Sequence, residues 1–254
     1  MKKNHPWFYE ISDYVQQDRL SRREFIRYAA LLGVSATAAS QTVGLFTPHQ
    51  AQAANIKRGG ILRTAASVMK IKHPAQTSWG QQSNQLQQLL EFLVVTDADN
   101  IAHPHLLEGW EVSDDLKTWT LNLRRGITFN NGDEFMADDV VFAFNQWLNK
   151  DIASTMRTLF SPILSEAGVE KVNQYQVKLH LDKPDIGVPY YLNESRALIV
   201  NHRTFEGDIL KAPHGTGPYL LESYTATERV VFKRRDDYWQ KGADGQPLPY
   251  LDGQ

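Results

Sequence analysis

The stretch from Leu106 to Trp147, LLEGWEVSDDLKTWTLNLRRGITFNNGDEFMADDVVFAFNQW, contains the two patterns that decide the fold. In its middle, apolar side chains alternate with polar ones, which is typical of a strand with one buried face. The apolar members of that alternation are Trp119, Leu121 and Leu123. From about Ala137 onward, apolar residues recur every three or four positions, which predicts an amphipathic helix. A strand and a helix in one short stretch indicate a fold that mixes both.

The sequence on either side adds further elements of both kinds. We predict a strand at 61–67, followed by a helix with one apolar face. That face comprises Leu86, Leu89, Leu90 and Leu93. Two hairpins are predicted later, the first within 169–181 and the second within 215–235. Because helices and strands do not alternate regularly, we predict an α/β protein of the mixed α+β type rather than a doubly wound sheet.

Composition and charge exclude several classes of protein. The 254 residues are 42% apolar and 22% charged, as in globular proteins, and their formal net charge is −2. The sequence after position 53 contains no basic tract, so nucleic acid is not an expected partner. Cysteine is absent, which excludes disulfides, thiolate metal sites and cysteine nucleophiles in this chain.

Two local patterns invite a chemical interpretation. Asp138 and Asp139 lie in the first turn of the predicted helix. One interpretation is a catalytic pair or a metal site. The commoner interpretation is a favourable interaction of both charges with the helix dipole. His103 and His105 flank a proline and could ligate a metal, although no third ligand lies at a recognisable spacing. Motifs for nucleophilic catalysis, phosphate binding and dinucleotide binding are absent from the sequence. We therefore expect neither an enzyme nor a cofactor.

The first 53 residues have the organisation of an export signal. A basic region precedes the mildly apolar residues 28–46, and these are followed by Ala51, Gln52 and Ala53. Small residues at the first and third of these positions are typical of a cleavage site. We therefore predict that residues 1–53 are a signal peptide and that residues 54–254 form the exported domain.

The segment from Ser21 to Arg27, SRREFIR, resembles the twin-arginine (Tat) signal. In that pattern Arg22, Arg23 and Phe25 are the residues recognised, and Arg27 stands where lysine is common. The resemblance implies that the Tat translocase exports the protein in a folded state. An amphipathic helix with incidental arginines is the alternative.

Leu106 to Trp147 also resembles the signature of the family 5 extracellular solute-binding proteins, the peptide-binding components of ABC importers. WEVSDD, TWT, a glycine turn and DVVF follow in the family order. GGILRTA, LLEFLVVTDADN, GTGPYLLESY and RRDDYW match further landmarks, so the resemblance extends from Gly59 to Gly253. Met136 departs from the pattern, because a hydroxyl residue there usually caps the following helix, a contribution of ~1 kcal/mol.

The resemblance implies a periplasmic-binding-protein-like type II lobe, in receptors that enclose a solute between two lobes by hinge closure. Relatives continue beyond the PYLDG landmark into a second lobe, and we expect that lobe to be missing from this chain. One wall of the cleft then remains. Its candidate ligand-binding residues are Ser67, Trp79, Glu194, Ser195 and Arg196. Arg196 could pair with a carboxylate of the solute, and a surface salt bridge is the alternative.

The resemblance thus implies a periplasmic receptor that captures a peptide or a similar small solute, oligosaccharides included. Such a receptor delivers its solute to an ABC permease in the inner membrane. Two alternatives stay open: an exported hydrolase acting on peptides or glycans, and a non-functional fragment of a longer receptor.

Overall fold

The computed structural model describes residues 4–43 and 56–254. They divide into two compact units, each assembled from separate parts of the chain. The first unit takes its described residues from 1–50, 92–124 and 158–194, and the second from 51–91, 125–157 and 195–254. In the described ranges, every helix is too short or too polar to cross a membrane.

A four-stranded antiparallel sheet organises the first unit. In chain order, the strands of this unit are β1 (Val94–Thr96), β2 (Ala102–Pro104), β3 (Leu107–Val112), β4 (Thr118–Leu123), β5 (Val169–Asn173) and β6 (Gln176–His180). β1 pairs with β2, and the other four form the sheet in the order β3-β4-β6-β5. The pairing of β5 with β6 confirms the first predicted hairpin.

The strand predicted around Trp119 is confirmed. In β4, Trp119 and Leu121 are wholly buried and Leu123 is nearly so. Trp119 lies opposite Leu179 in β6, and Leu121 lies opposite Val177. Apolar side chains from neighbouring strands therefore share one buried face, which is the cross-strand packing that stabilises a sheet.

Three helices of the first unit precede this sheet in the chain. They are α1 (Pro6–Gln16), α2 (Arg22–Leu31) and α3 (Ala36–Thr42). Phe8, Phe25 and Ala39 are buried in one cluster with Leu116, which lies between β3 and β4. The assignment of residues 1–53 to a signal peptide stays a prediction. Its cleavage residues, Ala51 and Ala53, lie outside the described residues.

The remaining elements belong mostly to the second unit. They are α4 (Gly80–Leu86), α5 (Ala137–Leu148), α6 (Met156–Phe160), α7 (Val188–Tyr191), β7 (Tyr219–Thr225) and β8 (Arg229–Arg234). Of these, α7 lies in the first unit, and α6 spans the point in the sequence where the chain passes from the second unit to the first. β7 and β8 pair antiparallel, which confirms the second predicted hairpin.

Residues 61–67 do not form the predicted strand. Ile61 makes one bridge to Gly253 and is 65% exposed, and the residues that follow it to position 67 are exposed too. Leu62 donates its N–H to the carbonyl of Gly253. Beyond it, none of the strands in the described ranges runs alongside, so no ladder of hydrogen bonds forms. The prediction of a strand at 61–67 is therefore wrong.

The helix predicted from the leucine spacing is shorter than expected. α4 ends at Leu86, although Leu89, Leu90 and Leu93 beyond it are all buried. The carbonyl of Leu89 accepts the N–H of Gly217 at 2.8 Å. A Cβ on Gly217 would lie 2.7 Å from that carbonyl oxygen, so glycine permits this approach. The leucine spacing reflects burial here rather than helical structure.

α5 begins at the predicted residue, and its start explains the acidic pair. The side chain of Met136 makes no cap hydrogen bond, whereas Asp139 Oδ2 accepts the backbone N–H of Met136 at 2.9 Å. Asp139 is wholly buried, and its Oδ1 also accepts the N–H of His202 at 3.0 Å. The helix-dipole interpretation was therefore incomplete for Asp139, which tethers a second segment of the chain to the helix start.

The histidines around Pro104 lie in an ordinary polar setting. His103 Nε2 is 2.8 Å from Asp97 Oδ2. Among the residues that the structure describes, no group of three or more histidine or carboxylate side chains is arranged to hold a metal.

Candidate functional site

α4 is the centre of the candidate cleft wall in the second unit. Gln85 Nε2 donates a hydrogen bond to the carbonyl of Ser67 at 3.2 Å. Ser83 Oγ donates to the carbonyl of Ser195 at 2.7 Å. Polar side chains of one short helix therefore hold two of the predicted ligand-binding positions, which are distant in sequence.

Trp79 precedes α4 and presents its indole to solvent. Its side chain is 62% exposed, as its polar surroundings in the sequence predict. Gln82 Oε1 accepts the N–H groups of Ser78 and Trp79 at 2.9 and 3.2 Å, while its Nε2 donates to Lys70 O at 2.7 Å. These bonds hold the backbone of the loop, and the exposed indole offers an apolar face and an N–H donor.

Arg196 is bonded to the same loop. Its Nε donates to the carbonyl of Thr77 at 2.6 Å, and its Nη1 lies 3.4 Å from Ser195 Oγ. Thr77 is buried and stands two residues before Trp79. One edge of the guanidinium therefore supports the Trp79 loop. The sequence predicted either pairing with a solute carboxylate or a surface salt bridge, and neither interpretation included this contact with the backbone.

The five predicted ligand-binding residues are divided between the two units. Glu194 is the last residue of the first unit, and its N–H donates to the carbonyl of Tyr191 at 3.2 Å. Ser67, Trp79, Ser195 and Arg196 all belong to the second unit. Adjacency in sequence was the reason for grouping Glu194 with Ser195, and it does not place the two in one unit.

A buried carboxylate that sequence reasoning missed anchors the second unit. Glu91 is 5% exposed, and its Oε1 accepts the hydroxyl of Tyr238 at 2.5 Å. Its Oε2 accepts Nε1 of Trp239 at 3.0 Å. Burial, and then the charge of Glu91, raises the pKa of Tyr238. The signal in the sequence was a lone acid inside an apolar run, LLEFLV, which implies partners elsewhere.

A buried arginine forms a second anchor. Arg235 is 2% exposed, and its Nε and Nη2 bond to both carboxylate oxygens of Asp237 at 2.6 and 3.1 Å. Nη2 also donates to the hydroxyl of Thr128 at 2.9 Å and to the carbonyl of Phe129 at 3.2 Å. The hydrogen bond from Arg235 lowers the pKa of Asp237. This guanidinium fixes the backbone near the turn at 215–218, whose two glycines approach Leu89.

The three residues of the predicted export motif differ in accessibility. Arg22 and Arg23 lie on the exposed side of α2, whereas Phe25 is wholly buried. Ser21 and Glu24 form a capping box that starts the helix, with the N–H of Ser21 donating to Glu24 Oε2 at 3.0 Å.

Comparison with known proteins places this fold. Residues 102–253 match the family model described as bacterial extracellular solute-binding proteins, family 5 Middle. Di/tripeptide-binding protein 1 of Pseudomonas aeruginosa is 33% identical over 160 residues, which are 54% of this chain and 30% of that protein. The periplasmic oligopeptide-binding protein OppA of Haemophilus influenzae is 30% identical over 188 residues, which are 65% and 34% of the two chains. The chain spans about a third of the length of these curated relatives.

Solved structures give the same result for the fold. The periplasmic binding protein DppA of Helicobacter pylori, in complex with the peptide STSA, has a TM-score of 0.66 at 24% identity, covering 78% of this chain and 42% of that one. Haemophilus influenzae OppA in complex with RPPGFSPFR has a TM-score of 0.64 at 25% identity, covering 72% and 39%. The predicted mixed α/β fold, similar to that of periplasmic binding proteins, is confirmed. Because the family match covers more than half of the chain, the protein belongs to the bacterial extracellular solute-binding proteins of family 5.

Proposed function

We propose that this protein acts as the substrate-binding receptor of an ABC importer. In this role it captures a peptide or a similar small solute in the periplasm and delivers it to the membrane permease. Relatives whose names refer to di/tripeptides, oligopeptides and glutathione support a peptide-like solute. Membership of a solute-binding family, rather than a family of enzymes, supports binding without turnover.

The observation that carries the proposal is the exposed indole of Trp79 on a backbone held by Gln82. An exposed aromatic ring on a loop with a fixed backbone provides contact area, and a tryptophan side chain has only two torsion angles to restrict on binding. Arg196, bonded to the same loop through Thr77, adds positive charge near that surface. An apolar face beside a cation suits a peptide, which offers both side chains and a carboxylate.

Export by the Tat translocase is part of the same proposal. Arg22, Arg23 and Phe25 are the residues that the translocase would read, with cleavage after Ala53. Relatives described as periplasmic support the destination. Changing Arg22 and Arg23 together to lysine should leave uncleaved precursor in the cytoplasm, and normal delivery of that variant would contradict the Tat assignment.

Native mass spectrometry of the purified chain, mixed with di-, tri- and oligopeptides, tests the receptor role. We expect complexes that contain intact peptide, and we expect Trp79→Ala to weaken them by about tenfold, as loss of a central aromatic contact does. Val172→Ala is the matched control, because Val172 is also exposed, to 38%, but lies in β5 of the first unit. Cleaved peptide would favour the exported hydrolase. Absence of any complex at millimolar peptide would contradict binding by this chain and favour a non-functional fragment.

A further inference from the structure

The segment that carries the twin-arginine motif is folded onto the first unit. Phe25, a residue of the motif, is wholly buried, and its ring centroid lies 5.5 Å from that of Phe8. The same cluster contains Ala29 and Leu32, and Leu116 joins it from the turn between β3 and β4. The apolar face of α2 is therefore already occupied by contacts within the protein.

Polar contacts fix the same arrangement. Trp110 Nε1, in β3, donates to the carbonyl of Leu31 at 3.0 Å. Arg23 pairs with the carboxylate of Asp99, and Arg27 Nε donates to the backbone carbonyl of Asp99 at 2.7 Å. Two cations of the segment thus meet one residue in the loop between β1 and β2.

The fit at the end of α2 is close enough to require glycine. Gly33 has a φ of +81°, in the left-handed region that glycine adopts without strain. A Cβ at this position would lie 2.5 Å from the carbonyl oxygen of Trp110, which is closer than non-bonded atoms can approach. A substitution at Gly33 would therefore push the segment away from β3 without altering the motif.

We propose that this docking masks the export motif, so that the translocase can bind it only after the segment has left the first unit. The inference rests on the proposed Tat export. A receptor that reads Arg22, Arg23 and Phe25 needs all three side chains accessible at once. In the docked segment Arg22 and Arg23 stay exposed, but Phe25 has no exposed surface. The apparent affinity of the translocase for the precursor is then its intrinsic affinity multiplied by the fraction of molecules in which the segment is undocked.

Gly33→Ala is the variant that tests the masking, and Gly60→Ala is its matched control. Gly60 also has a positive φ, of +87°, but a Cβ there meets nothing within 4 Å. Amide hydrogen exchange on the full-length precursor measures docking. A ten-residue helix such as α2 is marginal in water by itself. We therefore expect its amides to exchange at least about tenfold faster in Gly33→Ala than in the unmodified chain, whereas β4 stays protected in both.

Export kinetics in cells complete the test. We expect Gly33→Ala precursor to be exported at least about threefold faster than the unmodified chain and the Gly60→Ala variant, because more of it is undocked. If the amides of α2 exchange as fast in the unmodified chain as in Gly33→Ala, the docking is overturned. Undocking of Gly33→Ala without faster export would overturn the masking. Normal export of the variant with both Arg22→Lys and Arg23→Lys would contradict the Tat proposal and therefore the masking as well. It would leave the hydrogen-exchange result on docking unchanged.

Discussion

The sheet of the first unit and the surroundings of α4 in the second are stabilised in different ways. In the sheet, Trp119 and Leu121 of β4 face Leu179 and Val177 of β6, and the contact is apolar burial between regular strands. Around α4, side chains of polar residues bond to backbone carbonyls of irregular segments, as Gln85 does to Ser67. The comparison shows why the first region has a periodic sequence and the second does not.

The difference also bears on function. A strand whose side chains alternate between two faces needs its neighbours to satisfy its backbone, and its buried face is committed to packing. Irregular segments held by individual hydrogen bonds can present a large side chain to solvent, as the loop before α4 presents Trp79. Binding residues lie more often on such segments than on the elements that support them.

The largest effect is expected in the sheet. Trp119→Ala removes a wholly buried indole, and we expect a loss of roughly 3 to 5 kcal/mol in the free energy of unfolding, as for other large aromatic deletions. Thr120→Ala, on the other face of β4, is the control and should cost less than about 1 kcal/mol. Denaturant unfolding measures both. A loss below about 0.5 kcal/mol for Trp119→Ala would show that apolar burial does not hold this region.

Arg235→Met tests how much buried polar contacts stabilise the second unit. The change removes the donor to the hydroxyl of Thr128 and leaves the carbonyl of Phe129 with only the N–H of Gly132. A buried polar group left unsatisfied costs about 1 to 3 kcal/mol. We expect a total loss on the order of 3 kcal/mol, again measured by denaturant unfolding. The control is Arg234→Met, whose exposed pairing with Asp252 should contribute less than about 1 kcal/mol. Equal losses for the two variants would remove the contrast between the regions.

The smallest effect concerns pH. Burial lowers the pKa of His73 below its ordinary value of 6.5, although the hydrogen bond to Gln146 opposes the shift. As pH falls below 6.5, the unfolded imidazole takes up a proton that the folded one resists, so the folded state loses stability. We expect His73→Asn to lose less stability between pH 7 and pH 5 than the unmodified protein. Identical slopes for His73→Asn and the unmodified protein would contradict the assignment.

The sequence predicted what periodicity can encode. β4, both hairpins and the start of α5 follow from alternation or helical spacing, because each of these elements buries one face. The same reasoning failed at 61–67, where no strand forms, and after Leu86, where buried leucines lie outside the helix. Burial patterns report which side chains are inside and do not report which backbone groups are paired.

The contacts around the site depend on long-range hydrogen bonds that no local pattern reveals. Glu91 meets Tyr238 across 147 positions, and Arg196 meets Thr77 across 119. Exposure of Trp79 could be predicted because its neighbours are polar, whereas the partner of Arg196 is a backbone carbonyl that any residue provides. Docking of α2 was likewise hidden, since its apolar face has the composition of an export signal.

The most direct test of the receptor role is the indole N–H signal of Trp79 in a two-dimensional NMR spectrum during titration with a dipeptide or tripeptide. The Trp79→Phe variant identifies that signal, and the buried Trp119 provides an internal reference. Because the method detects even millimolar binding, a weak complex would still be seen. We predict a saturable shift of the Trp79 signal with no change at Trp119. A Trp79 signal that stays constant up to millimolar peptide would contradict the assignment of this surface as the wall that meets the solute.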